Sequence, residues 1–243
     1  MNFNKVGLPD QIQTKSIIIG MILMFILVHI GFYATYIRHF PEFNNFNWVH
    51  HVHGALMGAW VLLLLVQPIL IHKKMYSVHR LLGKLTYVLA PVLLVFMFLV
   101  ARQNYQTGII DASPEEVFAR QSNTWMQIFM FVLFYSMAIF FRKQAHKHVR
   151  FIIGIAIVMT GPPMGRIILN YWGQTSIPYF VIIPLVVKTG FAALLLIVDV
   201  IKKKDWMPYS VVLLAFILAD IVYFARYTEA WQAFGRFVGN HFY

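Results

Sequence analysis

Residues 48–71 read Trp-Val-His-His-Val-His-Gly-Ala-Leu-Met-Gly-Ala-Trp-Val-Leu-Leu-Leu-Leu-Val-Gln-Pro-Ile-Leu-Ile, a run without a single Asp, Glu, Lys or Arg. At 1.5 Å per residue a helix of this length rises roughly 36 Å, which exceeds the ~30 Å hydrocarbon core of a bilayer. Lipid offers backbone N–H and C=O groups no partner, so such a run is stable there only as a helix that satisfies them internally. Working outward, the same pattern recurs at about 16–37, 79–101, 123–141, 148–172, 178–200 and 207–226. The sequence therefore predicts an all-α bundle of seven transmembrane helices, a single domain over residues 1–243.

Composition agrees with that reading. Hydrophobic residues make up 60% of the chain and charged ones 12%, with a mean hydropathy of +0.68, which excludes a water-soluble globule. There is no Cys, so disulfides, iron–sulfur clusters and thiolate metal sites are excluded as well. The net charge of +11 would suggest nucleic acid only if the basic residues shared one solvated face. Instead they sort by loop. Lys5, Lys15, Lys73, Lys74, Arg80, Lys84, Arg142, Lys143, Lys147, Arg150, Lys202, Lys203 and Lys204 fall on the side of the N-terminus, against Arg38, Arg102, Arg120, Arg226 and Arg236, with Arg166 near that boundary. Positive residues mark the cytoplasmic side. The expectation is a multi-pass protein of a bacterial inner membrane, N-terminus cytoplasmic and C-terminus outside, with the lipid bilayer as its partner and no nucleic acid.

The polar first fifteen residues and the absence of a small-residue cleavage site predict an uncleaved signal-anchor. In the longest connection, 102–122, Ser113-Pro114-Glu115-Glu116 reads as an N-cap, a Pro at the first helical position and acids in the first turn, so a short surface helix is expected. No loop is long enough for a separate domain, and chemistry must lie in the bundle. The hairpins 48–83 and 123–154 share a layout of basic turn, Arg and Gly, which either a duplication or the ordinary bias of membrane hairpins would produce.

Ionisable residues inside spans are few, and each is a functional candidate by default. His29 lies roughly 20 Å from the inner boundary and His53 roughly 8 Å below the outer one, counted at 1.5 Å per residue, so the two share a level. His50 and His53 lie three apart on one helix face that Met57 continues. Imidazole is the commonest ligand of haem iron, copper and zinc, which makes His29, His50 and His53 a candidate metal set. Alternatively, His50 and His51 face water and His29 bonds a neighbouring helix. At the inner boundary His79 with Arg80 and His148 with Arg150 supply two imidazoles and two cations, the parts that a bis-histidine haem b and its propionates need, although His and Arg also settle at such boundaries to meet lipid phosphate.

A third cluster lies in the outer half. Lys188 and Asp220 differ in depth by about 5 Å and would neutralise each other as an ion pair. Near them Thr160-Gly161-Pro162-Pro163 is expected to break the fifth span, with Arg166 one turn outward. Interrupted helices beside charges build midplane sites in transporters; a proline kink beside one structural pair is the plainer alternative. Asp199, next to Lys202–Lys204, reads as a boundary ion pair, and Trp48, Tyr171, Trp172, Tyr179 and Trp206 as interfacial belts.

His53-Gly-Ala-Leu-Met57 with Trp60, Gln67-Pro68-Ile-Leu-Ile, His79-Arg80-Leu-Leu-Gly83, and His146-Lys-His-Val-Arg150 with Pro162-Pro163 and Arg166 together resemble a group of uncharacterised bacterial multi-span membrane proteins, over spans two to five. More loosely, a His-x-x-x-Met helix followed by His on later spans is similar to the ascorbate-type di-haem cytochrome b family. That resemblance implies haem ligands on spans three and five, which His79 and His148 match. It implies a second pair on spans two and four, where this chain has no fourth-span His and would need His29 instead. Three functions follow as expectations. One is a haem or metal redox protein passing electrons across the bilayer or to quinone. The second is a small-molecule transporter or binding protein using Arg166, Lys188, Asp220, Pro162 and Pro163. The third is a non-catalytic assembly or scaffold subunit.

Overall fold

The computed structural model describes residues 11–43, 46–173 and 179–243, with side chains from Thr14 onward. Lys5 and Pro178, used above for charge placement and a span boundary, lie outside the described residues. Helices run α1 (Gln11–Tyr33), α2 (Trp48–His72), α3 (Tyr76–Gly108), α4 (Pro114–Arg120), α5 (Ser122–Phe140), α6 (Ala145–Tyr171), α7 (Tyr179–Ile201), α8 (Met207–Phe224) and α9 (Glu229–Phe242). Seven of them, α1 to α3 and α5 to α8, are long and apolar enough to cross a membrane. The protein is an integral membrane protein built as an all-α bundle.

Boundaries follow local chemistry. Asn47 caps α2, its side-chain oxygen accepting from the amides of Val49 (3.1 Å) and His50 (3.3 Å), and so satisfies donors that a helix start leaves orphaned. The expected surface helix is present as α4, where Ser113 Oγ accepts from Glu116 N at 3.2 Å. Two features depart from the sequence reading. The helix α3 continues past its apolar part to Gly108, and an amphipathic helix, α9, follows the last span.

The expected break at Gly161-Pro162-Pro163 is absent, because α6 stays helical from Ala145 to Tyr171. Proline retains a helix-compatible φ but withholds its N–H and crowds the carbonyl four residues back, so the two prolines remove the donors that the carbonyls of Val158 and Met159 would otherwise meet. Neighbouring helices enclose the segment. Centrally placed α6 packs on α1, α5, α7 and α8, while α2 links α1 to α3. The core runs through Trp60, Leu64, Leu93, Phe131, Phe134, Phe151, Ile155, Val212 and Phe216. At Gly31 the α1 backbone lies so close to Pro163 that a Cβ would overlap it; only Gly permits that approach.

Lysines 73, 74, 143 and 202–204 share one end of the bundle, called here the basic end, and α4 and α9 cover part of the other.

Candidate functional site

Three polar clusters lie inside the bundle. At the basic end, Arg150 of α6 is 8% exposed and Asp199 of α7 is 5% exposed. Arg150 Nη2 donates to Asp199 Oδ1 at 2.9 Å and Nε to Oδ2 at 2.5 Å, and Nη1 donates to the His146 carbonyl at 2.7 Å. The guanidinium also lies 5.6 Å from the centroid of the Tyr209 ring on α8. This two-bond fork joins α6, α7 and α8 and gives Asp199 a partner other than the expected Lys202–Lys204. It also commits Arg150, which is then not free for a propionate, and Arg80 is exposed.

His79 and His148 come within electrostatic reach of each other. Their hydrogen bonds differ. His148 Nδ1 donates to the Ala138 carbonyl at 2.8 Å, which leaves Nε2 with a bare lone pair, the state of a metal-ligating imidazole. His79 Nδ1 faces the Gln67 side-chain amide; with its nitrogen toward His79, Gln67 donates there, and its oxygen accepts from Gly83 N at 3.1 Å. That arrangement puts the His79 proton on Nε2, the wrong tautomer for a second ligand. With Arg150 engaged as well, His148 alone of this inner pair has the hydrogen bonding of an axial ligand. Among the described residues no group of three or more His, Cys, Asp or Glu converges as a metal site.

The second cluster lies toward the opposite end. His53, Trp60 and Gln67 recur every seven residues on α2, which places them on one stripe of the helix, and Trp60 is 2% exposed against Phe131 and Tyr135. Tyr135 in turn donates to Thr86 Oγ1 at 3.0 Å. His53 Nδ1 is buried with no partner, within electrostatic reach of His50 and of Arg166 on α6. Arg166 sits 4.3 Å over the Phe32 ring and donates to the Pro162 carbonyl at 3.3 Å. His29 does not join them: it is exposed, its Nδ1 meets the Phe25 carbonyl of its own helix at 2.9 Å, and its ring packs on Phe25 at 4.1 Å. His50 bonds Asn47 (3.0 Å), and His51 bonds Tyr36 (2.7 Å). Of the expected set His29, His50 and His53, His29 is thus turned away, while His50 and His53 stay within electrostatic reach of each other.

The third cluster is formed by α6, α7 and α8. Lys188, tenth of the 23 residues of α7, is 1% exposed, and its Nζ has no hydrogen-bond partner. A Cβ on Gly161 would lie 3.1 Å from that nitrogen, so the missing side chain makes room for the ammonium. Asp220 lies within electrostatic reach of Lys188 but outside contact; its Oδ2 accepts from Thr189 Oγ1 at 2.7 Å, and its Oδ1 is unpartnered. The sequence reading grouped Arg166 with this pair. The structure separates them: Gly161 and Gly165 face Lys188 and Phe180 on α7, while Pro162 and Arg166 form the face toward Phe32 on α1.

Sequence reasoning passed over the stripe of His53, Trp60 and Gln67, whose seven-residue spacing was the available signal. It also missed the Arg150–Asp199 fork, for which two residues 49 apart gave none. Comparison with protein-family models, curated proteins and solved structures yields no match.

Proposed function

We propose that this integral membrane protein binds or transports a small molecule, and that Lys188, Thr189, Asp220 and Gly161 form its working site. One observation carries the reading. The Lys188 ammonium is fully buried and makes no hydrogen bond, whereas a buried polar group left unmade costs about 1–3 kcal/mol, more when charged. Asp220 Oδ1, also unpartnered and within electrostatic reach, adds an acceptor. A structural ion pair would close the gap between Lys188 and Asp220; a working site leaves donors and acceptors for a guest. The proposed setting is a bacterial inner membrane with the basic end cytoplasmic, by the charge bias of the loops.

The test uses the absence of Cys. A Lys188→Cys variant in membrane vesicles is treated with a small, charged, membrane-impermeant thiol reagent from either side. Modification from one side, slowed by replacing the reagent with a bulkier analogue, supports a water-connected site. Inertness from both sides sinks the reading.

A redox reading retains one supporting observation, the ligand-like hydrogen bonding of His148. Oxidised and dithionite-reduced absorbance spectra of the purified protein decide it. A haem signal lost in His148→Ala would establish a centre there and revive the likeness to di-haem cytochromes b and a role toward quinone. Featureless spectra from cells supplied with haem would remove it.

A further inference from the structure

We propose that Arg166, His53 and Phe32 form a second site, separate from Lys188, that takes the carboxylate of a small monoanion carrying an apolar substituent. Each contact between oppositely charged side chains that the structure describes involves another cation: Asp199 meets Arg150, Asp205 meets Lys147 and His146, Glu116 meets Arg120, and Glu229 meets Arg236. Asp220 is taken by Thr189 on the far face of α6. Among the described residues Arg166 has no acid in contact. Its polar contact is a single 3.3 Å bond to the Pro162 carbonyl, one turn back on its own helix, which leaves most of its five N–H donors unused.

The neighbours of Arg166 add donors and apolar surface. His53 Nδ1 is buried without a partner and lies within electrostatic reach of the guanidinium. The Phe32 ring, 4.3 Å from the guanidinium carbon, holds that plane by cation–π attraction and leaves its edge free. A cation in such a niche, about 8 Å below the helix end by residue count, is expensive unless a counter-charge arrives with the ligand.

The geometry narrows the anion. One guanidinium edge offers two parallel N–H bonds, which fit the two oxygens of a carboxylate. A phosphate dianion would bring a second negative charge for which the niche has no cation; His50, the other titratable group facing His53, is held by Asn47. Phe32 supplies a wall for an apolar substituent. Such a ligand could arrive from water as a free organic acid or from the bilayer as a fatty acid, and the two share this chemistry. Because Arg166 and Lys188 occupy opposite faces of α6, the inference stands whether or not Lys188 forms a site.

Equilibrium binding of radiolabelled benzoate and of oleate to the detergent-purified full chain tests it. The expected result is saturable binding of one or both near one per chain, not competed by methyl benzoate; benzoate binding marks an aqueous source and oleate alone a membrane source. Arg166→Gln removes charge-assisted bonds and should weaken binding about tenfold or more, with a smaller loss for His53→Phe. If Arg166→Gln does not fold, Arg166→Lys, which keeps the charge without the fork, should still bind more weakly than the wild type. Absence of saturable binding of both probes to the wild type, or undiminished affinity in the folded Arg166 variant, overturns the proposal.

Discussion

Arg150 on α6 and Asp199 on α7, 49 residues apart in sequence, meet through two parallel hydrogen bonds at the basic end of the bundle, both side chains almost wholly buried. Removing one member leaves the other charged and unpaired in low dielectric, a loss of about 3–5 kcal/mol. Asp199→Asn and Arg150→Met should therefore each lower the melting temperature in detergent sharply. The double variant Arg150→Met with Asp199→Leu should recover part of the loss, since the isolated charge is gone. Strictly additive losses would mean that the pair does not interact in solution.

Lys188 and Asp220 should behave differently. They sense each other without touching, so Lys188→Met and Asp220→Leu should show a smaller coupling in the same kind of cycle than Arg150 and Asp199 do. Gly161→Ala is the sharper probe. Its Cβ would come 3.1 Å from Lys188 Nζ, so the buried ammonium would have to shift by a few tenths of an ångström. Combining it with Lys188→Met should relieve the strain. Equal destabilisation by Gly161→Ala with and without Lys188 would show that the glycine does not exist to seat the lysine.

The spans were legible because lipid imposes one simple rule on sequence: about twenty apolar residues with internal hydrogen bonding. What joins them was less so. Depth along a helix can be counted from sequence, and on that basis His29 and His53 share a level, yet rotation about the helix axis decides whether they meet, and α1 turns His29 outward. Likewise Arg166 and Gly161 are near in depth but face different neighbours, since five residues carry the chain about 140° around the axis. Proline at 162 and 163 suggested a break by its local cost, and the packing of α6 against four other helices overrode it.

At the covered end, acidity should loosen the contact between α4 and the segment after α8. The Tyr227 hydroxyl donates to Glu116 Oε2 at 2.8 Å and Arg120 Nε to Oε1 at 2.9 Å; these bonds, that from Tyr227 foremost, hold the Glu116 carboxyl below its usual range. A carboxylate whose folded pKa is depressed contributes stability that is complete above its unfolded pKa and lost as pH falls through the folded value. Hydrogen exchange of α4 amides should therefore be slower in the wild type than in Glu116→Gln at neutral pH, with the difference vanishing toward pH values below the ordinary carboxylate range. A difference independent of pH would assign the effect to packing.

The charge bias of the loops makes orientation testable with two fusions. A reporter after Tyr243 should be active only outside the cytoplasm, and one in the 202–205 turn only inside. With seven spans between the ends of the bundle, two reporters on the same side would contradict the arrangement.

The last expectation concerns α9, whose buried face of Gln232, Gly235 and Val238 packs toward Phe118 of α4. Phe234, Phe237 and Phe242 remain exposed on the same helix. At its C-terminal end Phe242 and Tyr243 approach Phe98, ring centroids 6.4 and 5.8 Å apart, and Phe98 belongs to the apolar, membrane-crossing part of α3. An amphipathic helix that reaches this level and keeps aromatic rings uncovered should lie in the lipid interface, apolar edge down. The chain has no Cys, so single nitroxide labels can be placed at will. Labels at 237 and 242 should collide more readily with oxygen, which concentrates in lipid, than with a water-soluble nickel chelate, and labels at 229 and 236, on the charged side of the helix, should show the reverse. Uniform access of the nickel chelate to all four positions would place α9 in water, and its exposed phenylalanines would then need a protein partner instead of a bilayer.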